Sequence, residues 1–123
     1  MLRVLGRCTI WSILATLCVS CASTQSRFVP IGGVQHPPRA ADAAVIVLTT
    51  GVPARAFSRV ARLDVHLEKT GFVVSDLKDA MPDLMRQVRL AGGDAIIEIR
   101  EQRSSVGETR IYHVTATAVR FVD

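Results

Sequence analysis

Residues 58–69 alternate apolar and polar side chains, and this alternation restricts the possible folds more than any other feature of the chain. Successive side chains of a β-strand point to opposite faces, so a period of two with one charged face indicates a strand covered on one side only. The sequence therefore predicts a sheet with one face left in solvent. The apolar face holds Ala61, Leu63, Val65 and Leu67, and the polar face holds Arg62, Asp64, His66 and Glu68.

Three further segments have the composition of strands. Residues 43–49 form a short apolar run that is β-branched in its middle, as in a buried strand. Residues 94–102 and 109–122 also alternate, and the turn signal at 104–107 lies between them. The last two strands are therefore expected to form a hairpin.

One helix is predicted over residues 79–91, where apolar side chains recur every three or four positions. Asp79 is the predicted N-cap, because Pro82 is then in the first turn, where backbone N–H groups have no helical partner. The pair at 92–93 supplies the glycine that commonly ends a helix. Residues 43–123 thus predict an α+β domain of order β-β-α-β-β. Its mostly antiparallel, four-stranded sheet carries one helix on one face.

The first twenty residues differ from the rest and predict an export signal. Arg3 and Arg7 precede an uncharged stretch from position 8 to position 20, in the size range of a signal sequence. A permanent membrane-spanning helix needs about 20 apolar residues, so this stretch is short for an anchor. Residues 1–20 are therefore interpreted as a removable signal peptide.

The end of this stretch resembles a lipoprotein processing site, since small Val19 and Ser20 come directly before Cys21. In such a site the cysteine is acylated, with fatty acids such as palmitate, and becomes the new N-terminus. The alternative is ordinary cleavage after Ala22, which would release a secreted periplasmic protein. After processing Cys21 is the last cysteine, so no internal disulfide is expected.

Residues 21–42 are rich in proline and glycine and predict a flexible tether between the lipid and the domain. The alternative is a structured arm that docks on the domain through Phe28, Val29 and Ile31. His36 lies in this segment and is expected to be exposed.

The helix-to-strand junction at 90–97, Leu-Ala-Gly-Gly-Asp-Ala-Ile-Ile, and the terminal strand at 115–120 resemble two families. They are similar to small bacterial proteins of the YbjQ-like type, which are associated with heavy-metal binding, and to outer-membrane stress-sensor lipoproteins of the RcsF type. The resemblance covers about residues 45–121 and implies the same α+β fold. It also implies a Gram-negative envelope lipoprotein. Ala22, where an aspartate would retain the protein inside, then implies the periplasmic face of the outer membrane.

The polar face of the second predicted strand is the candidate site. Imidazole and carboxylate groups converging there could hold zinc or another divalent ion. The alternative is a solvated face with cross-strand charge pairs to Arg62 and Arg100. The predicted ligands are His66, His113 and Asp64, with Glu68 and Glu98 near them.

Other function classes are disfavoured. Without Arg3 and Arg7 the chain has 13 basic and 11 acidic residues, with no basic stripe, so nucleic acid is not expected as a partner. No nucleophile has a recognisable base beside it, so neither catalysis nor a cofactor is predicted. A binding or sensing module of the envelope remains. Tyr112, Val119, Phe121 and the edge of the first predicted strand could bind a partner or a second copy, or could complete the core of a monomer.

Overall fold

The computed structural model of the protein describes residues 22–122. The predicted signal peptide and the predicted lipidation site Cys21 lie outside these residues, as does Asp123. The elements are β1 (Ala22–Pro30), a 3₁₀ turn (Ile31–Gly33), β2 (Ile46–Val47), β3 (Phe57–Lys69), α1 (Leu77–Leu90), β4 (Ala95–Val106) and β5 (Thr109–Phe121).

The strands form one mixed sheet of order β1-β3-β5-β4-β2. All neighbouring pairs are antiparallel except β2 and β4, which are parallel. The α-helix of the described residues packs on one face of this sheet, so the α+β prediction is confirmed. The predicted count of four strands was wrong, because a fifth strand comes from the segment that was expected to be a tether.

That fifth strand, β1, pairs with β3 along its whole length, from Ala22 opposite Lys69 to Pro30 opposite Ala61. Short polar residues make up most of β1, so no hydrophobic period marks it in the sequence. As an edge strand it needs only one hydrogen-bonded neighbour, and Phe28 is its main contact with the core. Pro30 ends the strand, where its missing N–H costs least.

The chain after β1 folds back along the end of α1 rather than leaving the domain. The Arg39 N–H donates to the Arg89 carbonyl at 2.7 Å, and Arg89 Nε donates to the Ala43 carbonyl at 2.9 Å. Orphan carbonyls at a helix C-terminus need such donors. His36, expected to be exposed, is half-buried here. The alternative of a structured arm therefore describes residues 22–43.

The strand predicted at 43–49 is reduced to Ile46–Val47. Its pairing continues slightly beyond these residues, since the Ile46 N–H donates to the Asp94 carbonyl at 3.1 Å and the Leu48 N–H to the Ile96 carbonyl at 3.0 Å. The predicted hairpin is confirmed, but β4 continues to Val106 and the turn is moved to Gly107 and Glu108.

Helix α1 begins earlier than predicted. Asp76 is the N-cap, and its carboxylate accepts from the Asp79 N–H while the Asp79 carboxylate accepts from the Asp76 N–H. This reciprocal capping box stabilises the start of the helix, and Pro82 lies inside the helix. Pro82 and Lys78 are both exposed, so the Lys78 carbonyl that loses its helical partner can bind water.

The C-terminus of α1 ends as predicted. Gly92 has a φ of 79°, and the Gly93 N–H donates to the Val88 carbonyl at 2.8 Å. Together with the Gly92 N–H bond to the Arg89 carbonyl at 3.1 Å, this is a Schellman motif.

The core lies between α1 and the covered face of the sheet. The side chains of Ala80, Leu84 and Val88 are fully buried against this face, and Met81 and Met85 flank them. Tyr112 is 1% exposed in this core, and Val119 is 0% exposed in a smaller apolar cluster on the other face of the sheet, so both are buried instead of forming a partner surface. The sheet residues of the main core include Leu63, Val65, Ile96, Tyr112, Val114 and Ala118.

Candidate functional site

The face of the sheet opposite α1 is the candidate site, because α1 covers only the other face. Alternate residues of β3 and β5 project from it, with β1 and β4 at the flanks. A small apolar cluster of Ala95, Ile97 and Val119, with Leu48, Phe57 and Phe121, closes the far end of this face. The remainder is mostly polar and includes Arg27, Arg62, Asp64, His66, Glu68, Arg100, His113, Thr115 and Thr117.

One half of the polar face contains the predicted histidines. His66 and His113 are direct cross-strand partners, and their rings meet edge to face with centroids 5.5 Å apart. His113 Nε2 lies 3.0 Å from Asp64 Oδ1, and His66 Nε2 lies 2.9 Å from Glu68 Oε1. Each imidazole is thus paired with a carboxylate of its own.

The predicted metal ligands lie next to one another on this face of the sheet. From position 22 to position 122, no group of three His, Cys, Asp or Glu side chains is placed to hold a metal ion. Asp64, His66 and His113 are neighbours, but each Nε2 is directed at a carboxylate. The structure brings the residues of the metal hypothesis together without forming a coordination site.

The other half of the polar face is a groove of about 580 Å³ that spans four strands. Four residues on neighbouring strands form a row across the sheet. Arg27 of β1 is opposite Asp64 of β3, and Asp64 is opposite Thr115 of β5. Thr115 is in turn opposite Arg100 of β4. Arg62 lies in the next row, opposite Thr117. We call Arg27, Arg62 and Arg100, with Thr115 between them, the arginine groove.

The three guanidinium groups of this groove make no hydrogen bond or ion pair with any other residue that the structure describes. Charge pairs to Arg62 and Arg100 were the alternative to a metal site on this face. Glu98 instead pairs with Arg59, whose Nε donates to Glu98 Oε1 at 2.8 Å. Sequence reasoning also missed Arg27, because no hydrophobic period marks β1 as a strand.

Glu98 reaches Arg59 because β4 contains a bulge. The pairing of β4 with β5 shifts between Ile97 and Arg100, and Glu98 has a φ of 55°, in the left-handed region. Thr117 Oγ1 donates to Glu98 Oε2 at 3.1 Å. The hydrogen bond from Arg59 is the main cause that lowers the pKa of the Glu98 carboxyl. No sequence signal marked this bulge, since a left-handed glutamate is uncommon.

The chemistry of the groove suits recognition of anions. A guanidinium presents five N–H donors in a planar fork that matches a carboxylate or a phosphate group. The Thr115 hydroxyl between the guanidinium groups can add a neutral donor to the same anion. The carboxylates of Asp64, within the row, and of Glu98 limit how a large polyanion could lie across the groove.

Comparison with known proteins supports the fold alone. A crystal structure of a Francisella virulence factor, FvfA, matches with a TM-score of 0.52 and 14% sequence identity. The match covers 78% of this chain and 97% of that one. No known protein family and no curated protein matches the sequence. The resemblance to the YbjQ-like and RcsF-like families therefore stays a prediction.

Proposed function

We propose that this protein is an envelope lipoprotein whose domain is a binding or sensing module, held by a lipid on Cys21 at the periplasmic face of the outer membrane. The proposed location rests on the sequence, in which a positively charged N-terminus, an uncharged stretch and two small residues precede Cys21. Among residues 22–122, no helix is long and apolar enough to cross a membrane.

The observation that carries the binding role is the arginine groove on the uncovered face of the sheet. Three guanidinium groups that a fold does not use for its own ion pairs remain available to a partner. Arginines that are already ordered on strands lose less conformational entropy on binding than arginines on a mobile loop. The proposed partner therefore presents carboxylate or phosphate groups to this face.

Photo-crosslinking in intact envelopes tests this role. A photo-reactive amino acid at Thr115 is expected to yield an adduct with a partner, and Arg27→Gln combined with Arg100→Gln is expected to remove that adduct. The matched control places the same reagent at Arg86, which is exposed on α1 on the opposite side of the sheet. If the reagent at Thr115 gives no crosslinked adduct, the result would count against the binding role.

The lipid anchor has a separate test. Mass spectrometry of the protein purified from membranes should find an acylated N-terminal cysteine, and Cys21→Ala should abolish the modification. A mature protein that begins after Ala22 would instead support the secreted alternative.

A metal-binding role is the second candidate, and it rests on the adjacency of His66 and His113. Zinc would have to displace Asp64 or Glu68 from at least one ring and recruit it as a ligand. Zinc is then expected to raise the melting temperature of the wild type and not that of His113→Ala. An unchanged melting temperature would reject this role.

A further inference from the structure

The first described residue lies at a defined end of the sheet. Ala22 pairs with Lys69 at the end of β3, and Lys69 pairs with Arg110 near the start of β5. Neighbouring strands are about 4.8 Å apart, so these three residues lie within roughly 10 Å of one another across the sheet. The chain therefore enters the domain at the end where β3 stops and the β4–β5 hairpin turns.

This end is also apolar. Phe72, Val73 and Val74 follow β3, and Val106 precedes the hairpin turn. We call these four residues the anchored end. These residues are 63%, 49%, 64% and 71% exposed, respectively. Three successive large apolar residues in a loop would ordinarily be covered.

The loop is held so that its aromatic ring faces outward. Gly71 and Phe72 are both left-handed, with φ of 72° and 61°, and a bulky residue rarely adopts such a φ. The Phe72 N–H donates to the Glu108 carbonyl of the hairpin turn at 2.8 Å. The Arg110 guanidinium lies 4.9 Å from the centre of the Phe72 ring. The fold thus fixes an exposed phenylalanine beside a cation, a combination that suits a membrane–water boundary.

From these contacts we infer that the anchored end is a membrane-docking surface, and that the surface covering it is the phospholipid bilayer. The inference rests on the proposed acylation of Cys21 and adds the orientation of the domain. One peptide unit, about 3.5 Å at full extension, separates Cys21 from β1. A lipid on Cys21 therefore holds this end at the headgroups, with no length of chain that would let another protein fit between.

Three basic and four acidic residues lie near the anchored end and leave no net positive charge, so apolar contact drives docking and binding should not require anionic lipid. The basic residues are Lys69, Lys78 and Arg110, and the acidic ones are Glu68, Asp76, Asp79 and Glu108. Strands β3 and β5 then rise from the membrane over roughly 40 Å, at about 3.3 Å per residue. The arginine groove faces sideways, where a periplasmic partner can reach it.

Tryptophan fluorescence tests the orientation. The chain has one tryptophan, Trp11, which lies in the predicted signal, so the mature protein has none. Phe72→Trp and Val106→Trp are made in the full chain, purified from membranes and reconstituted into vesicles of phosphatidylethanolamine with brominated acyl chains. Val52→Trp is the matched control, since Val52 is 56% exposed in the loop before the opposite end of β3.

The tryptophans at 72 and 106 are expected to emit at shorter wavelength in vesicles and to be quenched by the brominated lipid, whereas the one at 52 should show neither change. Equal quenching at 52 and 72, or none at 72, overturns the docking surface. The docking surface is also overturned if the emission of the tryptophan at 72 shifts only when other envelope proteins are present. Mass spectrometry of the same samples separates the two proposals: an unmodified Cys21 defeats the anchor, and an acylated Cys21 with an unquenched tryptophan at 72 defeats only the docking.

Discussion

Gly92 lets the arm of residues 22–43 pack closely against the end of α1. Its φ of 79° favours glycine, and a Cβ there would lie 2.6 Å from the Pro37 carbonyl oxygen and 2.8 Å from His36 Cβ. The arm therefore passes over the end of α1 at a distance that no side chain allows.

Gly92→Ala is expected to destabilise the protein by more than about 2 kcal/mol, because the left-handed conformation alone costs about 1–2 kcal/mol and the arm must also move. Gly51→Ala is the control: its φ is 72°, but a Cβ there meets nothing within 4 Å. We expect about 1 kcal/mol for it. Urea denaturation measures both free energies of unfolding. Equal losses would show that the arm is not held against the helix.

Glu98 combines backbone strain with a charge pair, and two substitutions separate them. Its pKa in the folded protein is lowered from 4.5, so the carboxylate stabilises the fold above this pH and the effect is lost as pH falls through the lower folded value. Glu98→Gln should cost about 0.2–1 kcal/mol at neutral pH, because the pair is partly exposed, and should match the wild type in acid.

Glu98→Gly removes the same contacts but relieves the left-handed φ, so its stability at neutral pH should exceed that of Glu98→Gln. Free energies of unfolding at neutral pH and well below pH 4.5 decide both points. A glutamine variant whose deficit persists unchanged in acid would mean that the charge of Glu98 contributes nothing.

At the scale of elements, Gln87 connects α1 to two strands. It is 2% exposed, its Nε2 donates to the Asp64 carbonyl at 3.0 Å and to Ser26 Oγ, and its Oε1 accepts from the Asp64 N–H at 3.2 Å. A buried glutamine that satisfies a strand backbone fixes the helix over the β1–β3 pair.

Gln87→Met keeps the volume and the helix propensity but leaves the Asp64 backbone without these partners, so we expect a loss of about 1–3 kcal/mol. Arg86→Met, on the exposed face of the same helix, should change stability by less than about 0.5 kcal/mol. Thermal unfolding followed by circular dichroism compares the two. If Gln87→Met is as stable as the wild type, water must replace the hydrogen bonds that the Gln87 amide makes to the Asp64 backbone.

At the scale of the whole molecule, residues 22–42 are part of the domain and not a leader to it. Without them β3 becomes an edge strand, Phe28 leaves the core, and the end of α1 loses the Arg39 N–H. A fragment of residues 43–123 is therefore expected to lose cooperative unfolding, which residues 22–123 retain. A fragment with the same sharp transition and midpoint would restore the tether hypothesis.

Much of this fold could be predicted from local patterns. The alternation of β3, the apolar period of α1 and the glycines at 92–93 specify their elements, because each buries one face or turns the chain within a few residues. The polar face, with Asp64, His66 and His113 together, followed from the same period of two. The predicted N-cap of α1 is three residues late, because Pro82 favours a start at Asp79 whereas the capping box between Asp76 and Asp79 sets the start at Asp76.

The sequence by itself determined which faces are buried, where the helix ends and which residues of β3 and β5 line the open face, since these depend on periodicity. Tertiary structure decided the rest. Strand β1 exists because β3 offers it unpaired backbone groups, the bulge at Glu98 arises from the mismatch between β4 and β5, and Arg27 joins Arg62 and Arg100 only when the edge strand is added. Such pairings depend on residues far apart in the chain, so no local pattern records them.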